Sequence, residues 1–287
     1  MSANDTMLEG KSVLLTGASG AIGAEVAGLL ARRGARLALS ARREARLQAL
    51  ADEIESTGQP RPFVLPADLG QPGEAAALGV RALQALGEVD VLVNNAGSSL
   101  QGLAWVVGDR GEAREVFETN VWSPLALAAA LAPSMIERGG GVIVNVGSMA
   151  RVSPFPHLGQ YASSRAAISA ATQTLDLELG PRGVRVVEFA LGPVDTPASR
   201  ENRVIAGIDP WLDDRPGLGD PAAAAAAIVA TVQGDTRGLA HYPRVLRWVD
   251  RLPSLGRRYS RRLAKAADLA DETVRFGGSP GPADQSS

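Results

Sequence analysis

The stretch Ser12-Val13-Leu14-Leu15-Thr16-Gly17-Ala18-Ser19-Gly20-Ala21-Ile22-Gly23 constrains the fold more than any other part of the chain. It opens with continuous rather than alternating hydrophobicity, which suits a parallel strand covered on both faces. A turn of small residues comes at once after it, and Ile22 to Arg33 has the pattern of a helix. Strand, glycine turn and helix start form the dinucleotide site of a doubly wound sheet. Small residues let backbone N–H groups approach a pyrophosphate, and the helix N-terminus adds partial positive charge and unpaired donors. Gly17, Ser19, Ala21, Ile22 and Gly23 are therefore candidate cofactor contacts. Alone, the turn also fits an ordinary strand–helix junction, so the residues downstream of it decide between the two.

The chain has 287 residues, 45% of them hydrophobic, enough for one large α/β domain or two small ones with a substantial core. No run approaches the roughly 18 uninterrupted apolar residues of a membrane span. The longest, Pro124 to Pro133, is about half of what a bilayer needs. Met1 to Asp5 carries no basic region ahead of an apolar core, so a cytoplasmic protein is expected. The absence of cysteine excludes disulfides, thiolate chemistry and cysteine-bound zinc. With only His157 and His241 besides, no metal site is expected. A net charge of −2 argues against a general nucleic-acid binder. Lys11 and Lys265 are the only lysines, so nearly all positive charge is arginine.

Arg36 to Ser40 is a short second strand. An acid at its end, about 20 residues after the glycine turn, would bind a ribose 2′-hydroxyl. Ala41, Arg42 and Arg43 stand there instead, and guanidinium groups in place of a carboxylate favour NADP over NAD. The same two arginines also suit the solvated start of a helix over Glu44 to Thr57. Phe63 to Pro66 is a third strand, whose end at Asp68 and Leu69 can reach an adenine, although Asp68 also suits a turn before a helix from Gly73 to Leu86. Val89 to Val93 is a fourth strand running into Asn94-Asn95-Ala96-Gly97. Small and amide residues at a strand's carboxyl end suit the ligand crevice of an open α/β sheet.

A helix is expected from about Glu112 to Arg138, with Asn120 in its middle, where asparagine is neutral to unfavourable and its pattern fits a surface residue. Gly141 to Val146 is a fifth strand that delivers Ser148 to the same crevice, and Tyr161 opens a helix to about Leu179. Tyr161 and Arg165, four apart, share one helix face. Carbonyl reduction needs a phenol near the substrate oxygen and a cation to lower the phenol pKa from about 10 by about 1–3 units. It also needs a second donor, here Ser148, to polarise the carbonyl. Read apart from its neighbours, the Tyr161–Arg165 pair also fits an aromatic ring packed on an arginine stem.

Thr16-Gly17 with Gly23, then Asn94-Asn95-Ala96-Gly97, then Ser148 with Tyr161 thirteen residues later, resemble the short-chain dehydrogenase/reductase family in order and spacing, over roughly residues 8–240. The resemblance implies one doubly wound domain over residues 1–242, strand order 3-2-1-4-5-6-7, helices on both faces, NADP(H) as cofactor and a dimer or tetramer. It implies that Asn120 distorts its helix and positions a relay water, that Ser148 holds the substrate oxygen, and that Tyr161 exchanges the proton. Arg165 takes the place of the family's lysine, which binds the nicotinamide ribose, lowers the tyrosine pKa and passes protons outward. Val194 and Thr196, after a sixth strand over Val184 to Ala190, match the segment that contacts the nicotinamide carboxamide. Ala198 to Gly219 matches the substrate lid, and its apolar residues favour a hydrophobic substrate.

The family's middle turn glycine is Ala21 here, small enough to keep the site, and its usual proline is Leu191. Arg165 is the larger departure, because arginine stays protonated at working pH and does not exchange protons. Two functions fit. One is an oxidoreductase that moves hydride between NADP(H) and a ketone, aldehyde or secondary alcohol, with protons relayed through ribose and water. The other is a cofactor-holding scaffold serving as a non-redox isomerase, a cyclase or a binding partner.

Pro221 starts an alanine-rich helix to Val232, and Gly238 to Tyr242 fits a last edge strand. Beyond it, 243–276 reads as a basic amphipathic helical extension and 277–287 as a disordered Gly/Pro/Ser-rich tail. Val245, Trp248, Val249 and Leu252 form one helical stripe, Pro253 breaks the helix, and a second one is expected over Tyr259 to Ala270. From Arg244 to Lys265 eight basic residues face one acid, Asp250. Such a segment packs its stripe on its own domain, covers a partner subunit, or makes peripheral contact with an anionic membrane.

Overall fold

The computed structural model describes residues 8–197, 199–200, 219–265, 269 and 272–277. Five strands come first in the main sheet: β1 (Ser12–Thr16), β2 (Arg36–Ser40), β3 (Phe63–Val64), β4 (Val91–Asn94) and β6 (Gly141–Ser148). β7 (Val184–Leu191) and β8 (Gly238–Tyr242) complete it. The order is β3-β2-β1-β4-β6-β7-β8, and every pairing is parallel. This is the expected order, with a crossover at β1 that leaves the carboxyl ends of β1 and β4 as neighbours. Ligands bind at such a switch point.

Side chains alternate across a strand, so successive residues of β1 serve opposite cores. Val13 and Leu15 join the layer that holds α1 (Ala21–Arg32), α2 (Glu44–Ser56) and α8 (Pro221–Gln233), through Val26, Leu30, Leu47 and Ile228. Leu14 joins the opposite layer, where Leu78 of α3 (Glu74–Leu86) and Leu127 and Leu131 of α6 (Ser123–Glu137) are fully buried. Each such leucine contributes about 1.5–3 kcal/mol by leaving water. The second layer is closed by α7 (Gly159–Leu179), which packs on β6 and β7.

Four expectations are corrected. The helix from Glu112 to Arg138 is three pieces: α5 (Gly111–Phe117), a π-helical turn over Glu118–Trp122, and α6. Asn120, whose pattern fits a surface residue, is fully buried in that turn. The extension is not wholly helical, because β9 (Arg275–Gly277) pairs antiparallel with β5 (Ser99–Gln101), a strand between Gly97 and the short α4 (Ala104–Val107). A strand this short has too few residues to show a period. Within the extension, α9 (Arg247–Arg251) and α10 (Pro253–Leu263) abut at Pro253, so the proline begins the second helix earlier than Tyr259. The substrate-lid segment, apart from Ser199, Arg200 and Gly219 and including Ala198, and the tail beyond Gly277 lie outside the described residues. No helix among the described residues is long and apolar enough to cross a membrane.

Candidate active site

The glycine turn between β1 and α1 is a close-packed junction. Gly17 has φ +65°, a left-handed value that side chains disfavour, and a Cβ there would stand 2.8 Å from the backbone of Ala96. A Cβ on Gly23 would overlap the Gly17 carbonyl. Gly20 caps α1 in an extended conformation, Ala21 is the first helical residue and exposed, and Ser19 and Ile22 are half-buried beside it. The methyl group that replaces a glycine at Ala21 therefore points away from the crowded side of the turn. Gly17→Ala is expected to lower the melting temperature and to weaken dinucleotide binding at least about tenfold, since a left-handed alanine costs about 1–2 kcal/mol before any overlap. Thermal melts and a fluorescence titration with NADPH check this, and an unchanged titration would contradict it.

The end of β4 is tied to that turn by the side chains expected to meet cofactor. Asn95 donates from Nδ2 to the carbonyls of Thr16 and Gly17, both at 3.1 Å. Thr16 Oγ1 accepts from the backbone N–H groups of Asn95 and Ala96, again at 3.1 Å. Asn94 donates to Asn145 Oδ1 at 2.8 Å, and Asn145 donates to Thr172 Oγ1 of α7 at 2.9 Å. The Asn94 and Asn95 amides and the Ala96 N–H thus hold the crevice together.

Gly97 marks the centre of the site. A Cβ there would overlap Arg165 Nη2 and lie 3.5 Å from Asn120 Oδ1. Arg165 Nη1 donates to the Val146 carbonyl at 3.1 Å, two residues before Ser148, and its guanidinium carbon stands 5.2 Å from the centre of the Tyr161 ring. Arg165 is buried at 8% exposure with no carboxylate in ion-pair distance among the described residues, and its Nε has no hydrogen-bond partner. A buried cation without a direct counter-charge is costly, and such groups gather at functional sites.

The π turn turns Asn120 inward. Its Nδ2 donates to the Ser98 carbonyl and to Ser164 Oγ, both at 2.9 Å, and its Oδ1 accepts from the Ser98 N–H at 2.9 Å. Widened turns of this kind recur at functional sites. The Asn120 amide is thus fully committed to Ser98 and Ser164. Ser148 ends β6 in an extended conformation, half-buried, with Oγ accepting from the Ala150 N–H at 3.1 Å. Tyr161, in the first turn of α7, is also half-buried.

Around this centre, Val194 pairs with Gly219 in an isolated bridge, and its carbonyl accepts from Thr196 N–H at 3.0 Å. Thr196 Oγ1 accepts from the Ser199 N–H at 3.1 Å. Arg42 and Arg43 are exposed past the end of β2. Asp68 Oδ1 accepts from the Gly70 N–H at 3.1 Å. Leu69 is buried at 6%, its side chain in the core and its carbonyl bonded to Ser123 Oγ.

Several residues of the site carry no mark in the sequence. Glu115 of α5 lies against Gly70, and burial first, then the Asp68 charge, raises its carboxyl pKa while Arg42 pulls the other way. Glu188, 1% exposed on β7, is hydrogen-bonded by Ser169 Oγ at 2.6 Å and stands 3.1 Å from Arg151 Nε. Arg151 also pairs with Asp250 of α9, and His241 Nε2 stands 3.3 Å from the same carboxylate. Burial raises the Glu188 pKa against the opposing Arg151 charge, and burial lowers that of His241 against its bond to Asp250. This chain of charges underlies the Ser148 strand end, because a Cβ on Gly147 would stand 2.7 Å from Glu188 Oε1.

Fold and site together define a Rossmann-type α/β protein with a polar centre at its switch point. The family model described as short chain dehydrogenase matches residues 11–204, and the chain belongs to the short-chain dehydrogenase/reductase family of oxidoreductases. It is 40% identical over 187 residues to a short chain dehydrogenase of Pseudocercospora fijiensis, covering 65% of this chain and 60% of that one. It is 34% identical over 256 residues to a fatty acyl-CoA reductase of Mycobacterium tuberculosis, covering 88% of this chain and 83% of that one. Among solved structures, 7 alpha-hydroxysteroid dehydrogenase complexed with NADH and 7-oxo glycochenodeoxycholic acid matches with a TM-score of 0.73 and 30% identity. That match covers 84% of this chain and 96% of the other.

Proposed function

We propose that this protein reduces a hydrophobic ketone or aldehyde, or oxidises the matching alcohol, with NADP(H) as its cofactor. The observation that carries this is the junction at Gly97, where Arg165, Asn120 and the end of β4 meet, with the Tyr161 ring beside the Arg165 guanidinium. The residues fit a dinucleotide. Gly17 and Gly23 form a cradle that a Cβ would fill, and Arg165 Nε is an unsatisfied buried donor.

Gly17, Ser19, Ala21, Ile22 and Gly23 would hold the pyrophosphate, and Arg42 and Arg43 the 2′-phosphate. Asp68 and Leu69 would meet the adenine. Ala96 and Gly97, braced by Asn94 and Asn95, would line the nicotinamide side with Tyr161 and Arg165. Val194 and Thr196 would meet the carboxamide. When bound, the cofactor supplies or accepts hydride. Tyr161 Oη gives or takes the proton of the substrate oxygen, and Ser148 Oγ holds that oxygen in line. Arg165 keeps its own proton, so protons reach solvent past the Asn120 turn. Similar proteins named for hydroxysteroid and fatty acyl-CoA substrates support an apolar carbonyl compound. A homodimer or homotetramer agrees with the exposure of Trp122 on the π turn and Leu177 on α7.

The test is turnover of NADPH and NADH against a panel of hydrophobic ketones, beside Arg42→Ala. NADPH is expected to be preferred, and Arg42→Ala is expected to raise the KM for NADPH about 10- to 100-fold, the loss of one charged hydrogen bond, while leaving NADH kinetics in place. Equal use of both cofactors by both proteins would remove the NADP assignment. Arg165 favours a second reading, a cofactor-holding scaffold. Tight NADPH binding without turnover on any ketone, with turnover appearing in Arg165→Lys, would establish that reading instead.

A further inference from the structure

We infer that the face built by residues 244–265 docks on an anionic lipid surface. All eight basic side chains of this segment, Arg244, Arg247, Arg251, Arg257, Arg258, Arg261, Arg262 and Lys265, are exposed. None has a carboxylate in ion-pair distance among the described residues. Some exposed arginines elsewhere do, Arg61 with Asp52 and Glu55, Arg114 with Asp109, and Arg200 with Asp195, while others such as Arg32 and Arg46 stand outside any such cluster. The one acid of the segment, Asp250, is turned inward onto Arg151 and His241. A chain of net charge −2 thus concentrates uncompensated, exposed positive charge in one segment.

The apolar stripe of the same segment faces out. Val245, Trp248 and Leu252 are 66%, 50% and 51% exposed. A helix that packed its stripe on its own domain would bury all three. Only Val249 turns in, towards Gly256. Trp248 is flanked by the guanidinium groups of Arg247 and Arg251 at 5.2 and 5.3 Å from its ring centre. Tryptophan beside arginine, with aliphatic neighbours, suits the boundary between headgroups and acyl chains. A phosphate-only partner would give Val245 and Leu252 nothing to enter.

The segment cannot roll to hide these groups. A Cβ on Gly256 would stand 2.5 Å from Ser153 Oγ and 2.9 Å from the Val152 carbonyl, and Ser260, one turn on, is buried at 8%. α10 is therefore seated by Gly256 and Ser260, which directs its arginines outward. The platform also adjoins the rim of the site, since Leu246 packs where a Cβ on Gly192 would lie and Val152 comes just after the Ser148 turn.

Each basic residue near an anionic surface adds to binding, and salt removes the attraction as the Debye length shrinks to about 3 Å near 1 M. The full chain is sedimented with phosphatidylcholine vesicles and with vesicles that also contain phosphatidylserine. Binding is expected to the anionic vesicles alone, lost at high salt, and weakened at least about 100-fold by the combined change Arg257→Glu, Arg258→Glu, Arg261→Glu and Arg262→Glu. Trp248→Ala is expected to weaken binding and to abolish quenching of tryptophan fluorescence by brominated acyl chains. Thermal melts establish that both variants are folded; should the charge reversal unfold the chain, Arg261→Gln with Arg262→Gln replaces it. No binding to anionic vesicles, or binding indifferent to Trp248 and the arginines, overturns the inference. So does equal retention on polyglutamate or DNA that Trp248→Ala leaves unchanged, since that marks a general polyanion face.

Discussion

Tyr161→Phe is expected to lower kcat about 10²- to 10⁴-fold, the range for losing a general acid–base group, while NADPH binds within about twofold of the wild-type affinity. The phenylalanine ring keeps its place beside the Arg165 guanidinium, 5.2 Å from it, so the pocket wall survives and only the hydroxyl is lost. The split between kcat and binding is the informative readout. A variant that loses both would point to collapse around Arg165, which is buried and bonded to the Val146 carbonyl. A variant that keeps full turnover would remove Tyr161 from the chemistry. Arg165→Lys beside it is expected to change the rate modestly, because both cations can serve a ribose and only lysine exchanges protons.

Arg151→Ala is expected to cost about 3–5 kcal/mol, the usual result of removing one partner from a buried ion pair, and to lower the melting temperature by roughly 6–20 °C. Arg151 pairs with two carboxylates, Glu188 and Asp250, and its own side chain is only 9% exposed. Its removal leaves the buried Glu188 carboxylate with the Ser169 hydroxyl but without its ion-pair partner. The pH dependence has a definite sign. Burial raises the folded-state pKa of Glu188 above its ordinary value, so between the two values the folded chain holds more protons, and stability falls as pH rises through that window. Without Arg151 the window extends upward, so the deficit of the variant is expected to be smaller at pH 5 than at pH 8. His241 acts in the opposite sense. Burial lowers its folded pKa, so the unfolded chain takes up protons first on acidification, and stability falls as pH drops through the ordinary histidine range. Melts of wild type, Arg151→Ala and His241→Asn across that range separate the two. A deficit for Arg151→Ala that stays constant with pH would show that Glu188 is not the group left exposed to charge.

The sequence by itself determined the parts that depend on near neighbours. The apolar run at Ser12–Thr16, the small residues from Gly17 to Gly23, and the i, i+4 placement of Tyr161 and Arg165 each come from local period and side-chain size. The order of strands was legible too, through the family resemblance that the motifs carry, and it accords with the few right-handed windings that alternating strands and helices admit. Only the tertiary structure decided what depends on partners far along the chain. Asn120 looks like a surface residue until Ser98 and Ser164 take up its amide across a π turn. Glu188 looks like any polar residue in a strand until Ser169 and Arg151 meet it below Gly147. The short strand at Arg275–Gly277 exists only because Ser99–Gln101 offers it an edge. The stripe of Val245, Trp248 and Leu252 has helical spacing whether it is buried or bare. Its exposure was fixed by Gly256 and Ser260, whose smallness lets α10 sit down on Val152 and Ser153 and leaves the stripe outside.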